Sequence, residues 1–451
     1  MKHFPFFGFV FFLLVSPLLA QDLPPLAGDG AADDTAAIQA RLDSGAKCVY
    51  LPEPKKHYVI SQALKIHSDQ TLRLDPNTLI YRADNTNASM LVNADIVNGN
   101  KNISVIGGVW DGNNRSNKVR YLTEKNGGAI AHSGDIFMGN SMLFLRVENL
   151  RIEHITLKDP VLFGMHLGGC HRFTINDIVF DYNLKNPSMD GIHLNGMNSQ
   201  GRITNIKGDT NDDMVALNAD DVPFFNQTPG PITDIEIDGL WGGEKCFRGV
   251  RMLSTGSPVK RISISNVYGQ FYRNAVAFTH YKLPFHNTPA YEDIDIRNIF
   301  CSKLTEPDRA GKSHREGERK GFAVIGIEGE MSIDNLNISN VHRREYLPGA
   351  APTLHIRRGT KITSLRLRDI EQINKTDVPL PLFRNEASIM KLFIDGTVVR
   401  EKNGKVLPLV GNGSIVKQYG EFLTETDEDL RRESDRLDEE LKTKPANKDI
   451  L

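Results

Sequence analysis

Short runs with an apolar residue at every second position recur along the chain from about residue 100. The nine clearest runs are centred on Ile152, Ile175, Ile203, Ile237, Ile264, Ile296, Ile338, Leu367 and Ile394. Alternation of this kind predicts β-strands. The steps between the runs vary from 23 to 42 residues, which does not fit helical repeats, because their units contain long runs of period 3.6. The pattern predicts a right-handed parallel β-helix, in which short strands stack from coil to coil and bury one face.

Asparagine recurs at the ends of these strands. The positions are Asn176, Asn205, Asn266, Asn298 and Asn340. Asparagine tolerates a left-handed backbone and can hydrogen-bond within its own turn. We therefore expect each of these residues to lie at a corner of a coil.

A second strand follows each run at a similar offset, and these strands should stack into a platform. Its outward-pointing residues are predicted to form a column that contains His166, His193, Ala216, Arg251 and Ala277. Their inward neighbours are all apolar, namely Leu167, Leu194, Leu217, Met252 and Phe278. Polar groups are therefore expected to project from one face of a stiff surface.

Both ends of the coil stack carry helical patterns. Near the start, Asp33 or Asp34 can cap a short helix over 35–42 that would cover the first coil. Near the end, 421–444 is rich in acidic and basic residues, and Leu423, Leu430 and Leu437 are spaced seven residues apart. A coiled-coil seam needs two apolar residues in every seven, and this leucine spacing supplies one. We therefore predict a solvated tail helix over 421–451.

The first twenty residues have the layout of a secretory signal: a short basic start, an apolar run and a small residue, Ala20, before polar sequence. The run is too short for a membrane span. We expect a protein without an integral membrane segment after signal removal, secreted or periplasmic, whose residues 21–420 form the β-helix.

Charge and cysteine content narrow the function classes. The net charge of −2 gives no argument for nucleic acid as a partner, because phosphate binding normally needs a basic excess. The four cysteines, Cys48, Cys170, Cys246 and Cys301, are far apart and lack metal-ligand spacing. One disulfide is conceivable in an exported chain, but we favour free, buried cysteines.

Three carboxylates are predicted to meet where two platform strands begin. Asp190 and Asp213 each lie four residues before the inward leucine of their coil, and Asp212 precedes Asp213. Neighbouring strands are ~4.8 Å apart, so these carboxylates should be close. Arg248 falls in the same column one coil later. An isolated aspartate in a turn is ordinary, but a cluster of three without a function is costly.

Close carboxylates repel, so at least one should keep its proton at an elevated pH. One protonated and one ionised carboxyl group are what glycoside hydrolysis requires. A spacing near 5 Å would suggest retention of configuration on the general rule. Metals and cofactors are not required by this chemistry, and we predict none.

At these residues the chain resembles glycoside hydrolase family 28, the polygalacturonase group, within the pectate-lyase-like β-helix superfamily. The segments "GDGAADDTAAIQARL" and "VYLPEPKKHYVI" are similar to the opening coil of that superfamily. The "NTD" motif of the family is matched in part by residues 188–190, and its "DD" motif by Asp212 and Asp213. The resemblance implies that Asp212 is the acid, that Asp190 and Asp213 activate water, and that the anomeric centre inverts.

Two family motifs are not matched. "GHG" would fall on 248–250, where Arg248 replaces histidine, and "RIK", which grips the substrate carboxylate, would fall on 277–279. Arg248 and Arg251 can take over anion binding, since a guanidinium matches a carboxylate bidentately. Alternatively, Arg248 simply neutralises the carboxylates.

Further substrate-binding candidates are His166, His193, Asn195, Asn218 and His280, and the two histidines on the column could equally be inert. The asparagines could bond sugar hydroxyls or one another. Trp241 and Tyr272 could stack on a sugar ring, or Trp241 could be core. Asp220 and Asp221 are interpreted as turn residues.

Three functions remain open. The first is a polygalacturonase-like hydrolase, expected to be a monomer, that acts on an acidic or pectin-like polysaccharide or oligosaccharide. The second is a polysaccharide lyase that uses Ca²⁺ and an arginine base. The third is a carbohydrate-binding β-helix without turnover.

Overall fold

The coils of the chain are built from two stacks of parallel strands. The protein is described from a computed structural model, which covers residues 23–118, 132–133, 136–137, 139–221, 228–281, 287–303, 321–402 and 404–443. The predicted signal segment, residues 1–20, lies outside these ranges. Within them, no helix is both long and apolar enough to cross a membrane.

Within the described residues, the larger stack contains eighteen strands. They are β1 (Cys48–Leu51), β2 (Tyr58–Ile60), β4 (Gln70–Leu74), β5 (Leu79–Arg82), β7 (Asn100–Ile106), β8 (Val109–Asp111), β12 (Val147–Lys158), β14 (His171–Asp181), β16 (Ser199–Gly208), β18 (Ile232–Gly242), β20 (Val259–Phe271), β22 (Ala290–Lys303), β24 (Ser332–Glu345), β26 (Lys361–Asn374), β28 (Ser388–Asp395), β29 (Val398–Glu401), β31 (Ser414–Tyr419) and β32 (Leu423–Thr426).

The smaller stack is the platform, with twelve strands in the part of the chain that the structure describes. They are β3 (Leu64–Ile66), β6 (Leu91–Asn93), β11 (Met142–Leu145), β13 (Met165–Gly168), β15 (Ile192–Asn195), β17 (Asp213–Asn218), β19 (Arg248–Leu253), β21 (Val276–Thr279), β23 (Ile325–Ile327), β25 (Leu354–Ile356), β27 (Phe383–Asn385) and β30 (Leu409–Val410). A separate antiparallel pair is formed by β9 (His132–Ser133) and β10 (Ile136–Phe137).

The predicted register is confirmed in the larger stack. Each of the nine apolar anchors pairs with the next, from Ile152 with Ile175 through to Leu367 with Ile394. Every pairing between consecutive coils is parallel. The parallel β-helix is therefore confirmed, and the structure extends it to the strands between residues 48 and 111 that precede the recognisable repeat.

The long strands bend at a column of left-handed residues. Asn205, Asn266, Asn298 and Asn340 have φ between 51° and 57°, as the sequence predicted. Their side chains form a ladder, in which Asn298 Nδ2 donates to Asn266 Oδ1 at 3.0 Å and Asn340 Nδ2 to Asn298 Oδ1 at 2.7 Å. The prediction was wrong by one residue for Asn176: the left-handed residue is Asp177.

The core runs along the inside of the coils. The predicted inward residues Leu167, Leu194, Leu217, Met252 and Phe278 are all fully buried within one continuous apolar cluster. Full burial of such a side chain contributes about 1.5–3 kcal/mol. The stacked register thus stabilises the platform on which the outward residues lie.

Helices flank the coils as predicted, with different boundaries. Helix α1 covers Thr35–Asp43 and buries Ile38 and Leu42. The Asp33 carboxylate accepts from Thr35 N, whereas Asp34 instead accepts from the backbone N–H of Ala27. Helix α2 covers Asp427–Thr443, six residues later than predicted, because Leu423–Thr426 pair with β29 as a last strand.

The four cysteines are all free, as favoured from the sequence. Three of them, Cys170, Cys246 and Cys301, are buried. Cys48 is exposed, contrary to the expectation, because its side chain points out from β1.

Candidate active site

Three aspartates meet at the start of adjacent platform strands. In the ladder between β17 and β19, Asp213 pairs directly with Arg248. Asp190 takes the equivalent place before β15, and its Oδ1 accepts a hydrogen bond from Asp213 N at 3.1 Å. Asp212 precedes β17, and its carbonyl oxygen accepts from Thr210 Oγ1 at 2.8 Å. The predicted convergence is therefore present.

The three carboxyl groups are close but differ in solvent contact. One oxygen from each lies within 4.8 Å of the others. The side chains of Asp190 and Asp213 are 5% and 1% exposed, whereas that of Asp212 is 30% exposed. Asp212 is thus the carboxyl group of this cluster that a large substrate can reach most easily.

Arg248 pairs closely with Asp213. Its Nη1 hydrogen-bonds Asp213 Oδ1 and lies 3.9 Å from Asp212 Oδ1. Arg251 is further away, with Nη1 4.0 Å from Asp213 Oδ2, and its Nε donates to Thr279 Oγ1 at 2.9 Å. Of the two arginines proposed for anion binding, Arg248 is therefore largely engaged by an internal carboxylate.

His193 ties Asp190 to a fourth carboxylate. Its Nδ1 lies 2.6 Å from Asp190 Oδ2 and its Nε2 lies 3.0 Å from Asp221 Oδ2. Phe163 stacks on the imidazole, with ring centroids 3.9 Å apart and planes 9° apart. The histidine is only 2% exposed, so its position between two carboxylates is fixed.

These environments separate the pKa values of the groups. Burial, reinforced by the charges of Asp213 and Asp190, raises the pKa of Asp212 to about 8. Burial raises the pKa of Asp190 as well, although the hydrogen bond from His193 opposes this. Burial alone would lower the pKa of His193, but its hydrogen bonds to Asp190 and Asp221 outweigh this and raise it to about 9. At neutral pH, Asp212 is protonated and His193 is an imidazolium.

Several predicted substrate ligands lie beneath the surface. His166 and His193 share the predicted column, but His166 is completely buried and its Nε2 hydrogen-bonds Asn195 Oδ1. Asn195 and Asn218 pair in register and are also fully buried. Asn218 Nδ2 lies 3.2 Å from Asp221 Oδ2. The interpretation that these asparagines bond within the protein is therefore favoured over contact with sugar.

His280 lies two coils from the carboxylates in the platform and bonds to the backbone. Its Nε2 lies 2.9 Å from the carbonyl oxygen of Gly329, and its own N–H donates to Glu328 Oε2 at 3.1 Å. The ring is therefore held by the next coil, and the structure does not bring it to the aspartates.

The two aromatic candidates stack on other aromatic rings. Trp241 is 42% exposed on the larger stack, where it stacks on Tyr268 with ring centroids 5.7 Å apart. Tyr272 is 3% exposed and stacks on Phe247 at 6.0 Å.

Asp221 and Phe163 were missed as members of the site. Asp221 was interpreted as a turn residue, which holds for Asp220, whose carboxylate accepts from Ser257 N at 2.6 Å. Asp221, however, turns back to His193. The sequence shows only that Asp221 lies three residues after Asn218. This spacing does not predict which way the chain turns after the strand ends. Phe163 lies in a loop before β13, where period-two patterns give no information.

The cluster of Asp190, Asp212 and Asp213 has the oxygen donors that a cation needs. Arg248 already supplies positive charge to Asp213, so a cation would compete with a guanidinium for that carboxylate. The arrangement is better suited to proton transfer, because it holds carboxyl groups of different pKa within reach of one another.

Residues 45–237 match the model of glycosyl hydrolases family 28. This match confirms the resemblance over a stretch that contains Asp190, Asp212 and Asp213. It ends before Arg248, so the two motifs that the chain lacks lie beyond it. Among curated proteins, no sequence matches significantly.

Solved structures of similar shape include enzymes and an adhesin. The A-module of a mannuronan C-5 epimerase from Azotobacter vinelandii is 12% identical, with a TM-score of 0.55, over 89% of this chain and 97% of that one. A family 28 exopolygalacturonase from Yersinia enterocolitica is 15% identical, with a TM-score of 0.48, over 86% and 76%. PfbA, a surface adhesin of Streptococcus pneumoniae, is 15% identical, with a TM-score of 0.48, over 88% of this chain and 90% of that one. Identities this low establish the fold alone.

Proposed function

We propose that this protein is an exported glycoside hydrolase that cleaves glycosidic bonds in an acidic or pectin-like polysaccharide. The observation that carries the proposal is the division of the cluster into one partly exposed carboxyl group, Asp212, and two buried ones, Asp190 and Asp213, which contact His193 and Arg248 respectively. Glycoside hydrolysis needs a protonated acid and an ionised partner. The family match over 45–237 supports the same reaction class.

Asp212 is the proposed acid. Its pKa of about 8 keeps the proton on the carboxyl group at neutral pH, and its side chain is the most exposed of the three. It donates this proton to the leaving oxygen as the glycosidic bond breaks. A general acid works best when its pKa lies near the working pH.

Asp190 and Asp213 are the proposed base pair. The imidazolium of His193 and the guanidinium of Arg248 each hydrogen-bond one of them, which favours the ionised form. Asp213 Oδ2 has no hydrogen-bond partner in the described part of the chain, so this oxygen can accept a proton from an attacking water. Its neighbour Arg251, with Nη1 at 4.0 Å, can orient that water.

We propose inversion at the anomeric carbon, as the family resemblance implies. The carboxylate oxygens approach within 4.8 Å, which is less than the ~6.5–9.5 Å usual for inverting pairs. Inversion therefore requires the water to enter beside the cluster, at Asp213 Oδ2. Proton NMR of the first product, recorded before mutarotation, distinguishes the two outcomes through the anomer released.

The test is turnover of defined polysaccharides. The purified mature protein is incubated with polygalacturonate and with other plant and algal polysaccharides, and new reducing ends are counted. We expect reducing ends without ultraviolet-absorbing unsaturated product, and a loss of at least about 10²-fold in Asp212→Asn. Asp234→Asn, a surface aspartate paired with Arg261, is the matched control and should keep full activity.

A second candidate, a β-helix that binds glycan without turnover, is favoured by one observation: Arg248 replaces the family histidine and pairs with Asp213. Glycan binding that persists without any product would support it and refute the hydrolase. Unsaturated product that disappears on chelation would instead indicate a lyase.

Export is part of the proposal and has its own measurement. The mass of the protein recovered from its native host should match a chain that begins at Gln21. A mass that retains residues 1–20 would contradict cleavage of a signal peptide.

A further inference from the structure

Arg251 is held in place by the platform strand that follows its own. It projects outward from β19 and pairs in register with Ala277 of β21. Because alanine carries only a methyl group, the longer arginine side chain can extend over it. The Nε of Arg251 donates to Thr279 Oγ1, two residues further along β21, at 2.9 Å. The arginine side chain is 17% exposed, so this hydrogen bond is largely shielded from water.

The hydroxyl group of Thr279 has a fixed direction. It donates to the carbonyl oxygen of Met252 at 3.2 Å. A threonine hydroxyl has one proton to donate, and this bond uses it, so the oxygen is left to accept from Arg251. Thr279 is buried, and its own carbonyl oxygen accepts from the Tyr291 hydroxyl at 2.8 Å. Backbone and side chain together thus hold the acceptor where Arg251 Nε reaches it.

Tyr281 provides a second contact to Arg251. The guanidinium carbon lies 5.4 Å from the centroid of the Tyr281 ring, within the range of a cation–π interaction. His280 lies between the two contact residues, and its N–H donates to Glu328 Oε2 at 3.1 Å. The backbone that leads into Tyr281 is therefore fixed by the next coil.

These contacts direct the guanidinium group toward the carboxylate cluster. Its Nη1 lies 4.0 Å from Asp213 Oδ2, and that oxygen makes no hydrogen bond within the described residues. The separation is too long for a direct hydrogen bond. The interaction between Arg251 and the cluster is therefore one between charges, and its strength depends on where the guanidinium is held.

Charges of both signs act on Asp212. Burial raises its pKa, as do the charges of Asp213 and Asp190, whereas Arg248 and Arg251 lower it. Arg248 hydrogen-bonds Asp213 directly, so its position is set within the cluster. Arg251 has no such bond to an aspartate among the described residues, and its position depends on contacts outside the cluster.

The Tyr281 phenol also faces this group and leaves the arginine charge uncompensated. Burial raises the pKa of Tyr281, although Arg251 opposes this. The phenol is therefore neutral at neutral pH. The ring contributes to the position of Arg251 without removing the positive charge that Arg251 presents to the aspartates.

The residues that hold Arg251 occupy positions of a motif that the chain lacks. The family resemblance would place basic residues at 277 and 279, where this chain has Ala277 and Thr279. Here the basic group comes from the neighbouring strand, since Ala277 leaves room for the side chain of Arg251 and Thr279 accepts its Nε–H.

We propose that Thr279 and Tyr281 are positioning residues, which hold Arg251 against the carboxylate cluster so that its positive charge acts on Asp212. The proposal rests on the proposed function and deepens it, since Asp212 is the proposed acid. Without these two contacts, the long arginine side chain would regain conformational freedom and its charge would be shared with solvent.

The experiment follows the protonation of Asp212 directly, by ¹³C NMR of protein labelled at the aspartate carboxyl carbons and titrated across neutral and alkaline pH. The signal is identified by its absence in Asp212→Asn. The variants are Thr279→Val, Thr279→Ser, Tyr281→Leu and Arg251→Gln, together with the first and third of these in the Arg251→Gln background.

Thr204→Val is the matched control. The hydroxyl group of Thr204 donates to Asn176 Oδ1 at 2.7 Å on the larger stack, and its residue is buried like Thr279. It therefore reports the effect of losing a threonine hydroxyl far from Arg251 in the fold.

We expect Arg251→Gln to move the titration midpoint of Asp212 up by about one pH unit, because a nearby opposite charge lowers the pKa of a carboxyl group by ~1–3. Thr279→Val and Tyr281→Leu should each move it up by about half as much, since they release the guanidinium without removing it. In the Arg251→Gln background neither should add a further change, because both act through Arg251. Thr279→Ser keeps the hydroxyl group and should match the wild type, as should Thr204→Val.

A midpoint that stays in place or moves to lower pH in both single variants would overturn the proposal. The same holds for equal changes with and without Arg251, or for an equal change in Thr204→Val. Tyr281 is partly exposed, so its variant should fold even if Thr279→Val disturbs the buried end of β21.

Turnover by the protein with Asp212 intact is measured separately. The alkaline limb of the pH–rate profile should move to higher pH together with the NMR midpoint, with little change in KM. Hydrolysis whose alkaline limb is the same in the wild type and both single variants refutes the positioning role alone. A titration that moves as expected, without any hydrolysis, refutes the enzyme alone.

Discussion

His193 should make the stability of the protein fall as the pH is raised. The imidazole is 2% exposed and lies between Asp190 and Asp221. The ring of His166 lies edge-on to it, with ring centroids 5.2 Å apart, and Phe163 covers one face. The charged groups that face it are thus two carboxylates, which favour the imidazolium in the folded protein.

The size of the effect follows from the change in pKa. A rise from 6.5 to about 9, at ~1.4 kcal/mol per unit, corresponds to about 3 kcal/mol. Because the folded pKa is the higher one, this stabilisation is fully present below pH 6.5 and is lost as the pH rises through about 9. The imidazolium should therefore stabilise the fold at pH 6 and contribute little at pH 10.

The assay is urea unfolding of the wild type and of His193→Gln at pH 6 and pH 10. We expect the free energy of unfolding to fall by about 3 kcal/mol more in the wild type than in the variant between these values. His154→Gln is the matched control, because His154 pairs with Asp177 at the surface, with side chains 58% and 44% exposed, where such a pair contributes at most ~1 kcal/mol. The same pH dependence in wild type and His193→Gln would refute the reasoning.

Three further predictions concern the acid, its neighbour and the corner ladder. Activity should fall about tenfold per pH unit above about pH 8 as Asp212 loses its proton, and a pH–rate profile that stays flat to pH 10 would exclude Asp212 as the acid. Arg248→Met should lower the free energy of unfolding by about 3–5 kcal/mol, because it removes the hydrogen-bonded cation of the buried Asp213 and leaves only Arg251, 4.0 Å away, among the described residues, whereas Arg248→Lys should cost less; chemical denaturation of both variants checks this. Asn340→Ala should be about 1 kcal/mol less stable than Asn340→Gly, since both lose the side-chain bonds but only alanine is strained at φ 51°; equal unfolding midpoints would contradict it.

Most of the fold could be predicted because the coil stack is periodic in the sequence. Strand alternation is fixed by geometry, so a buried isoleucine in one coil identifies its neighbour in the next, and Ile152 to Ile394 pair as expected. Counting residues from the inward leucine or methionine of each coil likewise predicted that Asp190, Asp213 and Arg248 lie next to one another. Residues that lie on strands of the platform were therefore located correctly from the sequence.

The features of the site that the sequence did not predict depend on loops, where apolar residues do not recur at a regular spacing. His166 was placed correctly on its strand, but its complete burial results from packing above the platform that the strand pattern does not encode. Asp221 turns back to His193 because of the path of the chain after β17. Arg273 lies in a turn between β20 and β21, and Phe322, on whose ring its guanidinium stacks, comes from the segment before β23. Contacts between two loops are fixed by tertiary packing and cannot be counted from strand positions.

The presence of Arg248 in place of histidine has a consistent physical explanation within this cluster. Three carboxyl groups whose oxygens approach within 4.8 Å cannot all be ionised without compensating charge. His193 is bound to Asp190 and Arg248 to Asp213, so each buried carboxylate has its own cation, and Asp212 shares Arg248 only at 3.9 Å. The proton is therefore left on Asp212, the group with the greatest access to substrate. On this reasoning the proposed site is compatible with Arg248, because this residue neutralises Asp213, one member of the proposed base pair, while Asp212, the proposed acid, keeps its proton.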